Sequence, residues 1–184
     1  MKKIVLLLIF VLSVLSFSEI SGAISQETIL KELKPKLEKA KTYEKYKIIY
    51  ARKAIAGEEI KTYTSDGLET KNVAKEGDFV VKNTTDAQEM YILTKEKFEK
   101  RYTYSKKLDD TWNIYQPIGK IKAVLVNSAL LKSLKITGGE FYIITSWGEE
   151  MIVKKGDYLV SPMEYNEVYR IANKEFFETY KLKK

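Results

Sequence analysis

Hydrophobic positions along this chain alternate between two periods, and each switch marks a new element. Ile29, Leu30, Leu33 and Leu37 recur at helical spacing behind Ser25, a candidate N-cap, and Glu27 in the first turn. This predicts an N-terminal helix within residues 24–45, kinked or restarted at Pro35, with its apolar stripe packed on the module that follows. Short runs rich in Val, Ile, Tyr and Phe come next, separated by turn residues, and they predict strands over 46–54, 60–63, 68–74, 79–82 and 89–93. Asp66-Gly67 between two such runs predicts a hairpin. Thr94 then caps a short helix over 95–102, in which Phe98 and Tyr102 share one face.

The same order follows again after a polar stretch, 105–119, which reads as a junction with Trp112 plugged between two modules. A strand is predicted over 120–126, a helix over 128–134 behind Asn127, and a hairpin from 141–145 and 150–153 around Trp147-Gly148. Strands over 158–160 and 167–171 lead to a helix over 174–180 with Asn173 as its N-cap.

Self-comparison gives this order a cause. Gly77-Asp78-Phe79-Val80-Val81 lies on Gly156-Asp157-Tyr158-Leu159-Val160 at an offset of 79. Glu89, Tyr91, Phe98 and Tyr102 fall on Glu167, Tyr169, Phe176 and Tyr180 at 78, and Thr64-Ser65-Asp66-Gly67 matches Thr145-Ser146-Trp147-Gly148 at 81. Lys95-Glu96 also matches Lys174-Glu175 at 79, so the gap near the last helix has two placements. The expected fold is α+β: a tandem duplication of a small antiparallel β-meander closed by a short helix, preceded by an N-terminal helix. The expected boundaries are a signal peptide over 1–23, the N-terminal helix over 24–45, modules over 46–104 and 120–184, and the junction over 105–119.

The first residues change the picture of where the chain works. Lys2 and Lys3, an apolar run of 14 residues over 4–17 and Ser21-Gly22-Ala23 have the layout of a secretory signal peptide. The run is short of the roughly 20 residues that a bilayer span needs. Export to the periplasm or beyond is therefore expected, an uncleaved N-terminal membrane anchor being the alternative. Taking away Lys2, Lys3 and Glu19 leaves 30 basic and 24 acidic residues, a net +6 of mixed sign. Such a surface suits an anionic envelope component or another protein as partner, and the chain carries no nucleic-acid motif.

With neither Cys nor His in the chain, thiol and Ser-His nucleophiles and the usual zinc ligand sets are excluded. No cofactor is expected. The repeated Gly-Asp pair reads as a turn, Gly supplying a positive φ and Asp binding backbone amides. The most site-like cluster is Glu149-Glu150 beside Trp147, with Tyr158 and Tyr165 as further contact aromatics. Paired carboxylates near an aromatic suit glycoside hydrolysis. Adjacent strand residues point to opposite faces, however, so a second carboxylate such as Asp157 or Glu164 would be needed.

Gly156-Asp157-Tyr158-Leu159-Val160, Glu167, Tyr169 and Phe176-Phe177-Glu178-Thr179-Tyr180 together resemble a short module of phage-encoded and bacterial proteins of unassigned function. Gly77-Asp78-Phe79-Val80-Val81, Glu89, Tyr91 and residues 98–102 are similar to it, with Arg101 in place of Thr. The resemblance implies a fold rather than an activity. Three functional expectations follow: a non-enzymatic binding or structural module of the cell envelope, a carboxylate-dependent hydrolase of an envelope glycan, or an inhibitor or immunity-type partner with a flat apolar patch.

Overall fold

The helical spacing of Ile29, Leu33 and Leu37 produces α1, Gln26–Lys39, with all three side chains fully buried. The computed structural model describes residues 22–184, so most of the expected signal peptide lies outside the described residues. Ser25 caps α1 by accepting the Thr28 amide at 3.2 Å. Of the two outcomes expected at Pro35 the restart does not occur: α1 runs unbroken through it, because the buried residues lie on both sides and their packing holds the helix continuous despite the missing amide. No helix of the described residues is long and apolar enough to cross a membrane.

The fold is α+β, with two five-stranded antiparallel sheets and two hairpins. The first sheet comprises β2 (Ile49–Lys53), β5 (Phe79–Asn83), β6 (Met90–Leu93), β7 (Tyr102–Lys107) and β8 (Asn113–Pro117), in the order β6-β5-β2-β8-β7. The second takes β1 (Thr42–Lys45), β9 (Lys120–Leu125), β12 (Tyr158–Pro162), β13 (Tyr169–Ile171) and β14 (Tyr180–Leu182), in the order β13-β12-β9-β1-β14. Each sheet carries a hairpin, β3 (Glu59–Thr64) with β4 (Gly67–Val73) and β10 (Glu140–Ile144) with β11 (Glu150–Lys154). Each also carries a helix, α2 (Lys95–Arg101) or α4 (Asn173–Thr179), and α3 (Ser128–Ser133) is added in the second half.

Several placements differ from the sequence expectations. The stretch expected as a junction is largely β7 and β8 paired together, and residues 42–45, expected within the N-terminal helix segment, form a strand of the second sheet. Helix α1 packs on the second half, where it joins Val126, Phe141, Val153 and Leu159 in one core. Gln26 fixes it there by donating to the Ile144 and Val168 carbonyls at 2.8 and 3.0 Å. Trp112 lies over the first half alone, half-buried beside Ile60 and Val80 with the Arg52 guanidinium 5.4 Å from its ring. Asn173 does not cap α4; Ala172 holds that position, and the Asn173 amide donates instead to the Gly156 carbonyl at 2.8 Å.

Strands β5 and β12, each second from the edge of its sheet, are buried on two faces, which explains their continuous apolar runs. Phe79 and Val81 face α2 while Val80 faces the β3–β4 side; Tyr158 and Val160 face α4 while Leu159 faces α1 and the β10–β11 hairpin. Val80 and Leu159 are each fully buried. Under α2, Phe98 stacks on Phe79 at 4.1 Å and meets Tyr115 edge-on at 4.8 Å. Under α4, Phe176 stacks on Tyr158 at 3.9 Å and meets Tyr43 edge-on at 4.9 Å. The Gly-Asp pairs form turns: Gly77 and Gly156 have φ of 86° and 100°, and Asp78 and Asp157 accept the Lys75 and Lys154 amides at 2.8 and 2.7 Å.

Since the chain has no disulfide to compensate, Phe176→Ala should destabilise the fold by about 3–5 kcal/mol in urea denaturation, whereas Phe177→Ala, 57% exposed, should cost far less. Equal effects would mean that the α4 stack is not a core.

Candidate functional site

Hairpin β3–β4 and helix α2 of the first half face hairpin β10–β11, β13 and α4 of the second across a cavity of about 660 Å³. Its apolar lining includes Ile92, Leu93, Ile121, Met151 and Trp147, and its polar lining includes buried charges drawn from both halves.

Arg170 is the most enclosed of these, with no side-chain exposure. Alternation along β13 turns it to the face opposite Tyr169, toward the first half's hairpin. Its Nε donates to Asp157 at 2.7 Å, Nη1 to Glu69 at 2.8 Å and Nη2 to Asp66 at 2.7 Å. Lys154 adds a second cation, 2.8 Å from Asp66. Three carboxylates thus surround two cations, and the balance decides where a proton goes. Burial raises Asp66, but the Lys154 and Thr64 hydrogen bonds and Arg170's charge outweigh it and hold Asp66 at about 2. Burial dominates at Glu69 and pushes it up to about 7, with Glu89 and Asp157 adding repulsion against Arg170's pull.

A second node joins the halves in the opposite sense. Glu167 of the second half accepts from Arg101 at 2.6 Å, from Lys97 and from the Ser146 hydroxyl at 2.7 Å. Burial raises its carboxyl, yet those donors bring it below the ordinary value. In a third node, Lys45 on β1 reaches into the first half, donating to Asn83 Oδ1 at 2.7 Å, Tyr102 at 3.0 Å and Tyr91 at 3.3 Å. The two phenols are 2.8 Å apart. Burial drives both upward, but Lys45, with the Tyr91 hydrogen bond and the Arg101 charge, outweighs it at Tyr102 and lowers that phenol, while Tyr91, beside Tyr102, stays well above its usual value.

The residues singled out from the sequence are not brought together here. Trp147 does line the cavity, 37% exposed, and its Nε1 donates to the Lys71 carbonyl at 3.3 Å, bridging the halves. Glu149 is half-buried at the hairpin turn and is tied to Thr145 through its backbone. Glu150 is exposed at the start of β11. Tyr158 stacks on Phe176, and Tyr165, at φ 52°, packs against the α1 core. Asp157, Glu167, Tyr91 and Tyr102 were also singled out from the sequence, but the cations that join them into nodes went unread. A signal was present for Arg170, a charge in a strand between Tyr169 and Ile171, a pattern that demands a buried partner, whereas Lys45 follows Glu44 and gave none.

Glu69 binds its proton more tightly folded than unfolded, so its contribution to stability is complete below about 4.5 and is lost as pH rises through about 7. Stability should therefore fall by about 3 kcal/mol between pH 4.5 and 8 from this group. Glu69→Gln should flatten that part of the calorimetric profile; an unchanged slope would place the proton elsewhere. No family model, no curated protein and no solved structure matches the chain.

Proposed function

We propose that the protein is an exported, non-enzymatic binding module of the bacterial cell envelope, with its ligand held in the cavity between the halves. One observation carries this reading: a concave space of about 660 Å³ is walled by both halves, and its polar groups are held in place by buried partners. Apolar walls with a few fixed polar groups are the usual form of a small-molecule site. In this reading the halves descend from one duplicated unit. Its support is the shared strand order and the matching aromatic stacks. The resemblance to the phage-encoded module draws on the same turns and stacks, and export rests on the N-terminal sequence.

Binding is favoured over hydrolysis because Glu69 and Glu167 are each tied to an arginine, and Glu149 and Glu150 lie outside the cavity. Glu89 and Glu175 remain as the buried carboxylates that a hydrolase would use, and Glu164, named from the sequence as a possible second carboxylate, lines the cavity as an exposed residue.

Soluble peptidoglycan fragments test the reading. At 100 times Kd a ligand adds about 2.7 kcal/mol, a rise in Tm of roughly 5–10 °C for a chain of this size. Met163→Trp, which adds bulk at an exposed position of the lining, should abolish the rise. A rise that survives this substitution would move the site elsewhere, and fragment cleavage lost in Glu89→Gln would favour the hydrolase.

A further inference from the structure

Helices α2 and α4 offer unlike residues to corresponding places. The third and seventh residues after the N-cap are Lys97 and Arg101 in α2 but Glu175 and Thr179 in α4. Two residues before the tyrosines of β6 and β13 stand Glu89 and Glu167, and Glu167 is neutralised by Lys97 and Arg101. Glu89 faces a different set. It is 5% exposed and accepts from the Thr85 hydroxyl, while Glu175, 3% exposed, is close enough for its charge to push Glu89 upward, after burial, which acts first.

The cations nearby are committed. Lys45 has spent its donors on Asn83, Tyr91 and Tyr102, and Lys174 pairs with Asp86 and Glu178. Glu175 Oε1 accepts the Ser65 amide at 2.7 Å, but among the described residues its buried Oε2 has no hydrogen-bond partner. Glu89, Glu175 and Thr179 all line the cavity. A buried carboxylate oxygen with nothing to accept from is unfavourable in the free protein and is relieved by an incoming donor.

Resting on the cavity reading above, we propose that this wall receives the ammonium group of an organic ligand, with Glu89 and Glu175 Oε2 as its acceptors. An ammonium brings three donors and a positive charge, the complement of what the wall lacks. The tyrosines Tyr91, Tyr102, Tyr169 and Tyr180 line the same space and suit a cation carried on an organic body. A bare metal ion fits less well, since among the described residues no group of three acidic, His or Cys side chains has metal-holding geometry.

Calorimetric titration of the full exported chain with 1,5-diaminopentane tests this, with 1-pentanol and calcium chloride as comparison probes. The diamine should bind, pentanol should not, and Glu175→Gln should weaken the diamine at least tenfold while raising the Tm of the free protein. Glu89→Gln serves as the second variant should Glu175→Gln fail to fold, and Glu99→Gln, an exposed residue of α2 outside the cavity lining, should leave binding unchanged. Diamine affinity unaltered by both buried substitutions, or calcium binding in place of the diamine, overturns the proposal. Failure of the diamine while peptidoglycan fragments still raise Tm overturns the ammonium site alone. Failure of every probe overturns the cavity reading with it.

Discussion

Strand β1 is hydrogen-bonded along both edges, to β9 on one side and β14 on the other, so the beginning of the described chain is built into a sheet whose other members come from its second half. Strand β8 sits between β2 and β7 of the first sheet, as β1 sits between β9 and β14 of the second. The second sheet is therefore completed by a strand that precedes the first sheet's run of sequence. The placement of β1 also aims side chains: Tyr43 closes the aromatic stack on Phe176, and Lys45 crosses to the phenols of the first half. Because β1 leads directly into β2, opening one sheet would pull on the other, so the two sheets should unfold together.

The cavity is a consequence of that arrangement. With the sheets joined through β1, the facing hairpins and helices bring charged residues together away from water. Arg170 and Glu167 each bind residues of the opposite half. Buried pairs of this kind contribute little net stability, because desolvation offsets most of the attraction, but removing one partner strands a buried charge. Their effect is to fix how the halves sit, and with it the shape of the space between them. The acids around Arg170 outnumber the two cations there, which leaves one carboxyl able to hold a proton near neutrality, and among the described residues neither Glu89 nor Glu175 forms an ion pair.

Much of the local structure was legible. The Asp66-Gly67 hairpin, the strands around Val80 and Leu159, the caps Ser25, Thr94 and Asn127, and the two Gly-Asp turns follow from short-range rules about φ, capping and alternation. Errors arose where distant packing overrode local preference. Pro35 stays within a helix because residues on both sides are buried, and Asn173 gives its amide to Gly156 rather than to its own helix. The candidate site was read poorly for the same reason: aromatics such as Tyr158 and Tyr165 proved to be packing residues, and of the five only Trp147 reached the cavity.

The sequence by itself determined the four helices and most of the strands, though not β1, β7, β8 or β14, since helix and strand periods, caps and turns are properties of neighbouring residues. Which sheet receives residues 42–45, that α1 leans on the second half, and that Glu69, Glu89, Glu167, Arg170 and Glu175 meet around one space were decided only by the tertiary structure. A charge in a strand announces that it needs a partner, but the partner here is supplied by a chain segment far away in sequence, and only the folding that joins them says which one.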